Sequence, residues 1–182
     1  MGLVISVSGL HGSGKSTYGR HIAAAYGLRH VSAGELFRQI AQEKGYDLKQ
    51  LGILASRDNS IDHLVDERTK QEAAKGNVVI DGQLAGWMAK DLADLKLFFT
   101  ASANVRIERM AKRDGETYDA KEQETTSRER IQRQRYREIY AINVDDLSIY
   151  DLIMDTGLLS LDENINILKN IISDYVTESH RK

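Results

Sequence analysis

Eight consecutive residues, Gly9-Leu10-His11-Gly12-Ser13-Gly14-Lys15-Ser16, spell the phosphate-loop pattern G-x-x-x-x-G-K-[ST]. Each residue type has a chemical reason. Glycines at 9, 12 and 14 let the backbone fold tightly and turn successive N–H groups inward, making a concave anion site. The loop then opens a helix whose N-terminus carries partial positive charge. Lys15 can reach the β- and γ-phosphates of a nucleotide, and the Ser16 hydroxyl can ligate Mg²⁺ directly. An apolar run, Leu3 to Val7, leads into the loop, and a helix-compatible stretch, Lys15 to Tyr26, follows it. That strand–loop–helix context is what the pattern requires, so nucleoside triphosphate binding is expected in preference to a plain glycine-rich turn.

Elements must position such a loop. Short apolar runs predict strands at Val4–Ser8, Arg29–Ser32, Val78–Asp81, Leu95–Thr100 and Leu152–Asp155. Helical patterns predict Lys15–Tyr26, Ala33–Lys44, Leu48–Ala55, Ile61–Lys75, Ala103–Arg113, about Ala120–Ile139 and Leu161–Tyr175. Alternating β and α with a phosphate loop after the first strand predicts an α/β fold, a parallel sheet covered on both faces. Ligands then bind at the carboxyl ends of the strands.

The residues just after each strand are therefore candidates. Ser32 and Glu35 have capping-box spacing, a helix start that would sit beside the phosphate loop. Arg38, one turn further on, could grip a second phosphate group. Asp81 ends an apolar run, where a carboxylate can hold Mg²⁺-bound water opposite Ser16; it could equally cap the next helix. Gly82 suggests close approach of backbone to a ligand, and Gly86 a packing glycine. Trp87, the single tryptophan, reads as core rather than as a base-flanking ring.

From Arg106 to Arg137 the chain carries eight arginines and two lysines against seven acidic residues. Most of these form a solvated, salt-bridged face. Arg109 and Arg113 are four apart and Arg128 and Arg135 seven apart, so each pair shares a helix face. With Gly115 as a hinge between them, the two pairs could close over the phosphate loop and neutralise a transferring phosphoryl group.

Composition bounds the rest. The 182 residues suit one domain with a sizeable core, 41% hydrophobic and 29% charged. A net charge of −2 offers no case for nucleic acid or an anionic membrane as partner. The absence of cysteine excludes disulfides and thiolate metal sites. No run approaches the roughly 20 apolar residues of a membrane span. Met1-Gly2-Leu3-Val4 reads as the first strand rather than as a signal peptide or a lipidation site, so a cytoplasmic protein is expected.

The chain resembles the nucleoside monophosphate kinases, most closely the archaeal type of cytidylate kinase, from about Val4 to Thr156. Carrying the likeness are the loop at 9–17, Ser-Ala-Gly-Glu-Leu-Phe-Arg at 32–38 and Gly-Asn-Val-Val-Ile-Asp-Gly at 76–82. The narrower motifs are Leu-Ala-Gly-Trp-Met at 84–88, Tyr-Arg-Glu-Ile-Tyr at 136–140 and Asp-Asp-Leu-Ser-Ile-Tyr-Asp-Leu-Ile at 145–153. The resemblance implies a three-layer P-loop NTPase fold with strand order 2-3-1-4-5, forming one kinase domain over 1–182. It also implies a monophosphate-binding region around 32–75 and a lid around 113–128. ATP would lie on Gly9, Leu10, His11, Gly12, Ser13, Gly14, Lys15, Ser16 and Thr17, with Arg109 near its base or phosphates. The monophosphate would be held by Arg38, with Ser32, Asp81 and Gly82 nearby, and clamped during transfer by Arg113, Arg128 and Arg135. Related kinases carry an arginine where this chain has Gln83, which can hydrogen-bond a phosphate but adds no charge.

The expected activity is phosphoryl transfer from MgATP to CMP, and to dCMP, by a protein favoured as a monomer. The attacking phosphate oxygen is already ionised, so no general base is needed. His11 occupies a variable loop position, and His21, His30, His63 and His180 read as structural or exposed. The same chemistry on AMP or UMP is the nearest alternative. A GTP-operated switch would need an Asn-Lys-x-Asp segment, which is absent. A non-catalytic nucleotide-binding module, acting on RNA, lacks an RNA-binding signature.

Overall fold

A computed structural model describes residues 2–179, and His180 lies outside them. Five strands form one all-parallel sheet in the order β2-β3-β1-β4-β5. They are β1 (Val4–Gly9), β2 (Arg29–Ser32), β3 (Val78–Asp81), β4 (Leu95–Thr100) and β5 (Leu152–Asp155). The strand order implied by the resemblance is the observed one. β1 and β3 are buried at every residue, as central parallel strands covered on both faces must be.

The helices are α1 (Lys15–Tyr26), α2 (Ala33–Glu43), α3 (Leu48–Arg57), α4 (Ser60–Ala74), α5 (Ala85–Met88), α6 (Ala103–Asp114), α7 (Tyr118–Tyr140) and α8 (Leu161–Ser179). Only the four-residue α5 was not expected, being too short to show a helical period. α8 runs four residues beyond the expected end at Tyr175.

On one sheet face Ile5, Val7, Leu97 and Phe99 pack with Tyr18 and Ile22 of α1 and with Leu168 and Ile172 of α8. On the other, Val4, Val78 and Ile80 pack with Ala73, Ala85 and Ala89. Burial of each large apolar side chain contributes roughly 1.5–3 kcal/mol. α2, α3 and α4 enclose a small core of their own, with Ile40, Leu51 and Ile61 at its centre.

Without proline, the turns use residues that tolerate a left-handed backbone: Gly45 (φ 71°), Gly76 (φ 69°) and Asn77 (φ 48°). Ser32, Asp47, Ser102 and Thr117 cap α2, α3, α6 and α7 through their side chains. α1 has no such cap. Its first amides are left to whatever enters the loop. Among the described residues, no helix is long and apolar enough to cross a membrane.

Candidate functional site

The loop from Gly9 to Gly14 joins β1 to α1 at the carboxyl end of the sheet. A side chain at Gly12 is doubly forbidden. Its φ is +75°, and a Cβ there would lie 2.5 Å from the carbonyl oxygen of Arg106. Gly9 is similarly confined, with a Cβ falling 2.3 Å from the carbonyl oxygen of Phe99. The glycines thus answer to packing as well as to backbone freedom.

Distant segments hold the loop from beneath and from above. Thr156, fully buried after β5, donates its hydroxyl to the carbonyl of Ser13 at 2.9 Å. Arg109 is anchored on the same threonine, at 2.9 Å to Oγ1 and 2.8 Å to its carbonyl. Buried Arg106 donates from Nη1 to the His11 carbonyl at 2.8 Å and to Glu129 of α7 at 2.6 Å. Its Nε reaches the Ala101 carbonyl at 3.2 Å. The His11 ring meets Gln132 of α7 at 2.8 Å. α7 therefore lies across the loop through two contacts, neither of them named by the sequence pattern.

Two cavities meet at the start of α1. One, of about 430 Å³, is lined by Gly12, Gly14, Thr17, Arg109, Arg113 and Leu161 among others. The other, of about 600 Å³, is lined by Ser32, Arg38, Asp81, Gly82, Gln83 and Arg128 among others. Lys15, Ser16 and Arg20 line both. Burial pulls the Lys15 ammonium pKa down from its ordinary value, and the charges of Arg128 and Arg113 add to the effect while Asp81 opposes it. The junction is a concentration of positive charge, suited to an anion.

Ser16 Oγ donates to Asp81 Oδ1 at 2.8 Å, across 65 residues of sequence. The pair expected around a magnesium ion is thus already in contact, and its hydroxyl and carboxylate oxygens are the hard donors such an ion takes. The second Asp81 oxygen lies 2.6 Å from His30 Nε2, without hydrogen-bond geometry, so both atoms are buried and unsatisfied. Ser32 makes the expected capping box with Glu35.

Arg38 and Arg128 line the larger cavity, and Arg109 and Arg113 the smaller. Arg113 is mostly exposed and bound to its neighbour Asp114 at 2.6 Å. Arg135 goes elsewhere. It donates to the carbonyl of Ala55 at 2.6 Å and pairs with Asp62. Seven residues fall only about 20° short of two full turns, so Arg135 does share a helix face with Arg128, but a carboxylate on α4 captures its side chain. Gln83 accepts a hydrogen bond from the Tyr136 hydroxyl at 2.7 Å. A Cβ at Gly86 would lie 2.6 Å from the Tyr150 ring, so that glycine serves packing. Trp87 is half-buried and its indole nitrogen has no hydrogen-bond partner among the described residues. Its ring lines neither cavity.

With this geometry in view, comparison with known proteins is decisive. A cytidylate kinase of Staphylothermus marinus is 43% identical over 97% of this chain and 99% of its own length. The chain belongs to the cytidylate kinase family. A second member of the family, from Pyrococcus horikoshii, is 47% identical over 93% of this chain and 88% of its own. A broader family described as an AAA domain matches residues 8–128. Among solved structures, a shikimate kinase from Bacteroides thetaiotaomicron superposes with a TM-score of 0.63 at 15% identity, covering 94% of this chain and 98% of that one. That likeness speaks for the fold alone. Family membership makes the chain an enzyme, a nucleoside monophosphate kinase.

The His11 ring supplies a pH test. Burial first, then the charges of Arg128, Lys15 and Arg106, lower its pKa from 6.5 to about 4, against the opposing effect of the bond to the Gln132 amide oxygen. Between those values an unfolded chain binds a proton that the folded one refuses. Folding stability is therefore full above pH 6.5 and falls as pH drops toward 4. The loss is on the order of 3 kcal/mol by pH 4. Urea unfolding of nucleotide-free protein checks this: wild type loses that much more than His11→Asn between pH 7 and pH 4, and parallel losses would refute it.

Proposed function

We propose that this enzyme transfers the γ-phosphoryl group of MgATP to CMP, and to dCMP, yielding ADP and the corresponding diphosphate. One observation carries the reading: two separate cavities share Lys15 and Ser16, so a donor and an acceptor would present their phosphates to the same ammonium group. The names of the family members support cytidylate as the acceptor.

ATP lies in the smaller cavity, its phosphates on the loop amides from Gly9 to Thr17 and its remainder beside Arg109. The acceptor lies in the larger one, its phosphate held by Arg38, with Ser32 and Gly82 alongside. Mg²⁺ would be held by Ser16 directly and by Asp81 through water, and would supply charge neutralisation at the donor phosphates. Lys15, Arg113 and Arg128 align the two anions and stabilise the charge that develops between them. Arg135 joins them only once it leaves Asp62. Its role in the nucleotide-free state is to tie α7 to α4.

Residues 32–75 act as the monophosphate-binding region and 113–128 as a lid, within a single domain over 1–182. The turn between α6 and α7 suits hinging. Gly115 there has φ +70° and open space around it, while Lys121 gathers Asp114, Glu116 and Glu124 within 3.1 Å. Lid closure excludes water and suppresses futile ATP hydrolysis.

Steady-state assays with CMP, dCMP, UMP and AMP test the acceptor. The expected order places CMP and dCMP first. A kcat/KM for AMP roughly a hundredfold above that for CMP, about 2.7 kcal/mol of transition-state binding, would reassign the substrate. No ADP with any monophosphate would leave only a nucleotide-binding module.

A further inference from the structure

The larger cavity has a wall that the phosphate chemistry does not use. Asp66, on α4, faces Tyr140 of α7, whose hydroxyl donates to Asp66 Oδ2. The His63 ring packs against the tyrosine in a T-shaped contact, with ring centroids 5.6 Å apart at 82°. Phe37 and Val65 add apolar surface to the same cavity, and Tyr136 and Gln83 add a second hydrogen-bonded pair. Neighbouring Asp62 is neutralised by Arg135, but no cation lies within ion-pair distance of Asp66 among the described residues. Asp66 is thus an anionic acceptor in the wall of a ligand-sized, partly apolar cavity that also contains Lys15.

Resting on the acceptor reading above, we infer that Asp66 selects the base, its carboxylate accepting a hydrogen bond from an exocyclic amino group. Cytosine presents such an N–H donor at C4, where uracil presents a carbonyl oxygen. The same carboxylate therefore attracts one pyrimidine and repels the other. A uracil bound there would leave Asp66 desolvated and facing a lone pair, a mismatch that discriminates far better than shape. Phe37 and Val65 supply the flat, apolar contact that either ring accepts. Tyr140 is a positioning residue, fixing the direction of the carboxylate without touching the base.

The experiment compares kcat/KM for CMP and UMP in wild type, Asp66→Asn and Tyr140→Phe, with ATP KM and thermal midpoint measured alongside. Wild type favours CMP by about a hundredfold or more. Asp66→Asn, whose amide offers N–H donors to a uracil carbonyl, shrinks that ratio at least about tenfold, through the acceptor KM, with ATP KM unchanged. Tyr140→Phe weakens CMP binding yet keeps the preference. An unchanged ratio in a folded Asp66→Asn overturns the inference, as does equal loss of preference in both variants. Should Asp66→Asn fold poorly, wild type with the 2-pyrimidinone monophosphate, which lacks the amino group, reads the same contact. Turnover as fast as CMP then overturns it. AMP outrunning both pyrimidines in wild type would instead overturn the acceptor reading.

Discussion

Lys15→Ala is expected to lower kcat on the order of a thousandfold while leaving the fold intact. The ammonium group lies where the two cavities join, so it would touch both the donor and the acceptor phosphate. Loss of a single neutral hydrogen-bond donor to a developing charge costs about 10²–10³ in rate, and a partly buried cation reaching two anions belongs at or above that range. Stability moves the other way, if at all. In the nucleotide-free protein Lys15 has one weak bond, 3.4 Å to the Leu10 carbonyl, and burial already disfavours its charge. Removing an ammonium group that is costly to bury leaves the melting temperature unchanged or raised. Single-turnover transfer and a thermal melt, run on the same sample, separate the effects. Wild-type transfer in the alanine variant would dismantle the proposed chemistry.

Arg106→Ala carries the largest expected loss of stability. Its guanidinium is buried and binds the His11 carbonyl, the Ala101 carbonyl and Glu129 at once. Truncation strands the Glu129 carboxylate in a poorly solvated site and frees the loop carbonyl. Removing one partner of a buried pair costs about 3–5 kcal/mol. For a chain of this length each kcal/mol lowers Tm by roughly 2–4 °C, so a fall of about 6–20 °C is expected. ATP affinity should fall with it, because the phosphate loop loses one of its two links to α7. Replacing both partners, as in Arg106→Met with Glu129→Leu, should recover much of the stability, since neither charge is then left unpaired. A melt within 2 °C of wild type for Arg106→Ala, with ATP KM unchanged, would refute this account of Arg106.

Both residues were present in the sequence, but only one could be singled out there. Lys15 sits inside a pattern whose chemistry is local: seven neighbouring residues and one helix start explain it. Arg106 is one of eight arginines in a mixed-charge stretch, and no spacing marks it. Its three partners come from the loop, the end of β4 and α7, so its role depends on how these elements pack. Thr156 is similar, an unremarked residue after β5 whose hydroxyl supports Ser13 from 143 positions away. Arg135 is a different case. Its spacing from Arg128 was real, yet an aspartate on α4 intercepts the side chain.

The chain alone established the strands, the long helices, the capping box at Ser32 and the phosphate loop, because each follows from hydrogen bonds and apolar periods among near neighbours. Tertiary packing decided what those elements bring together: Thr156 against Ser13, Arg106 between the loop and α7, and Asp66 in the wall of the larger cavity. Long polar side chains have many reachable partners and little intrinsic preference among them. Which contact forms is set by the burial and position of distant segments, and a linear pattern does not record that.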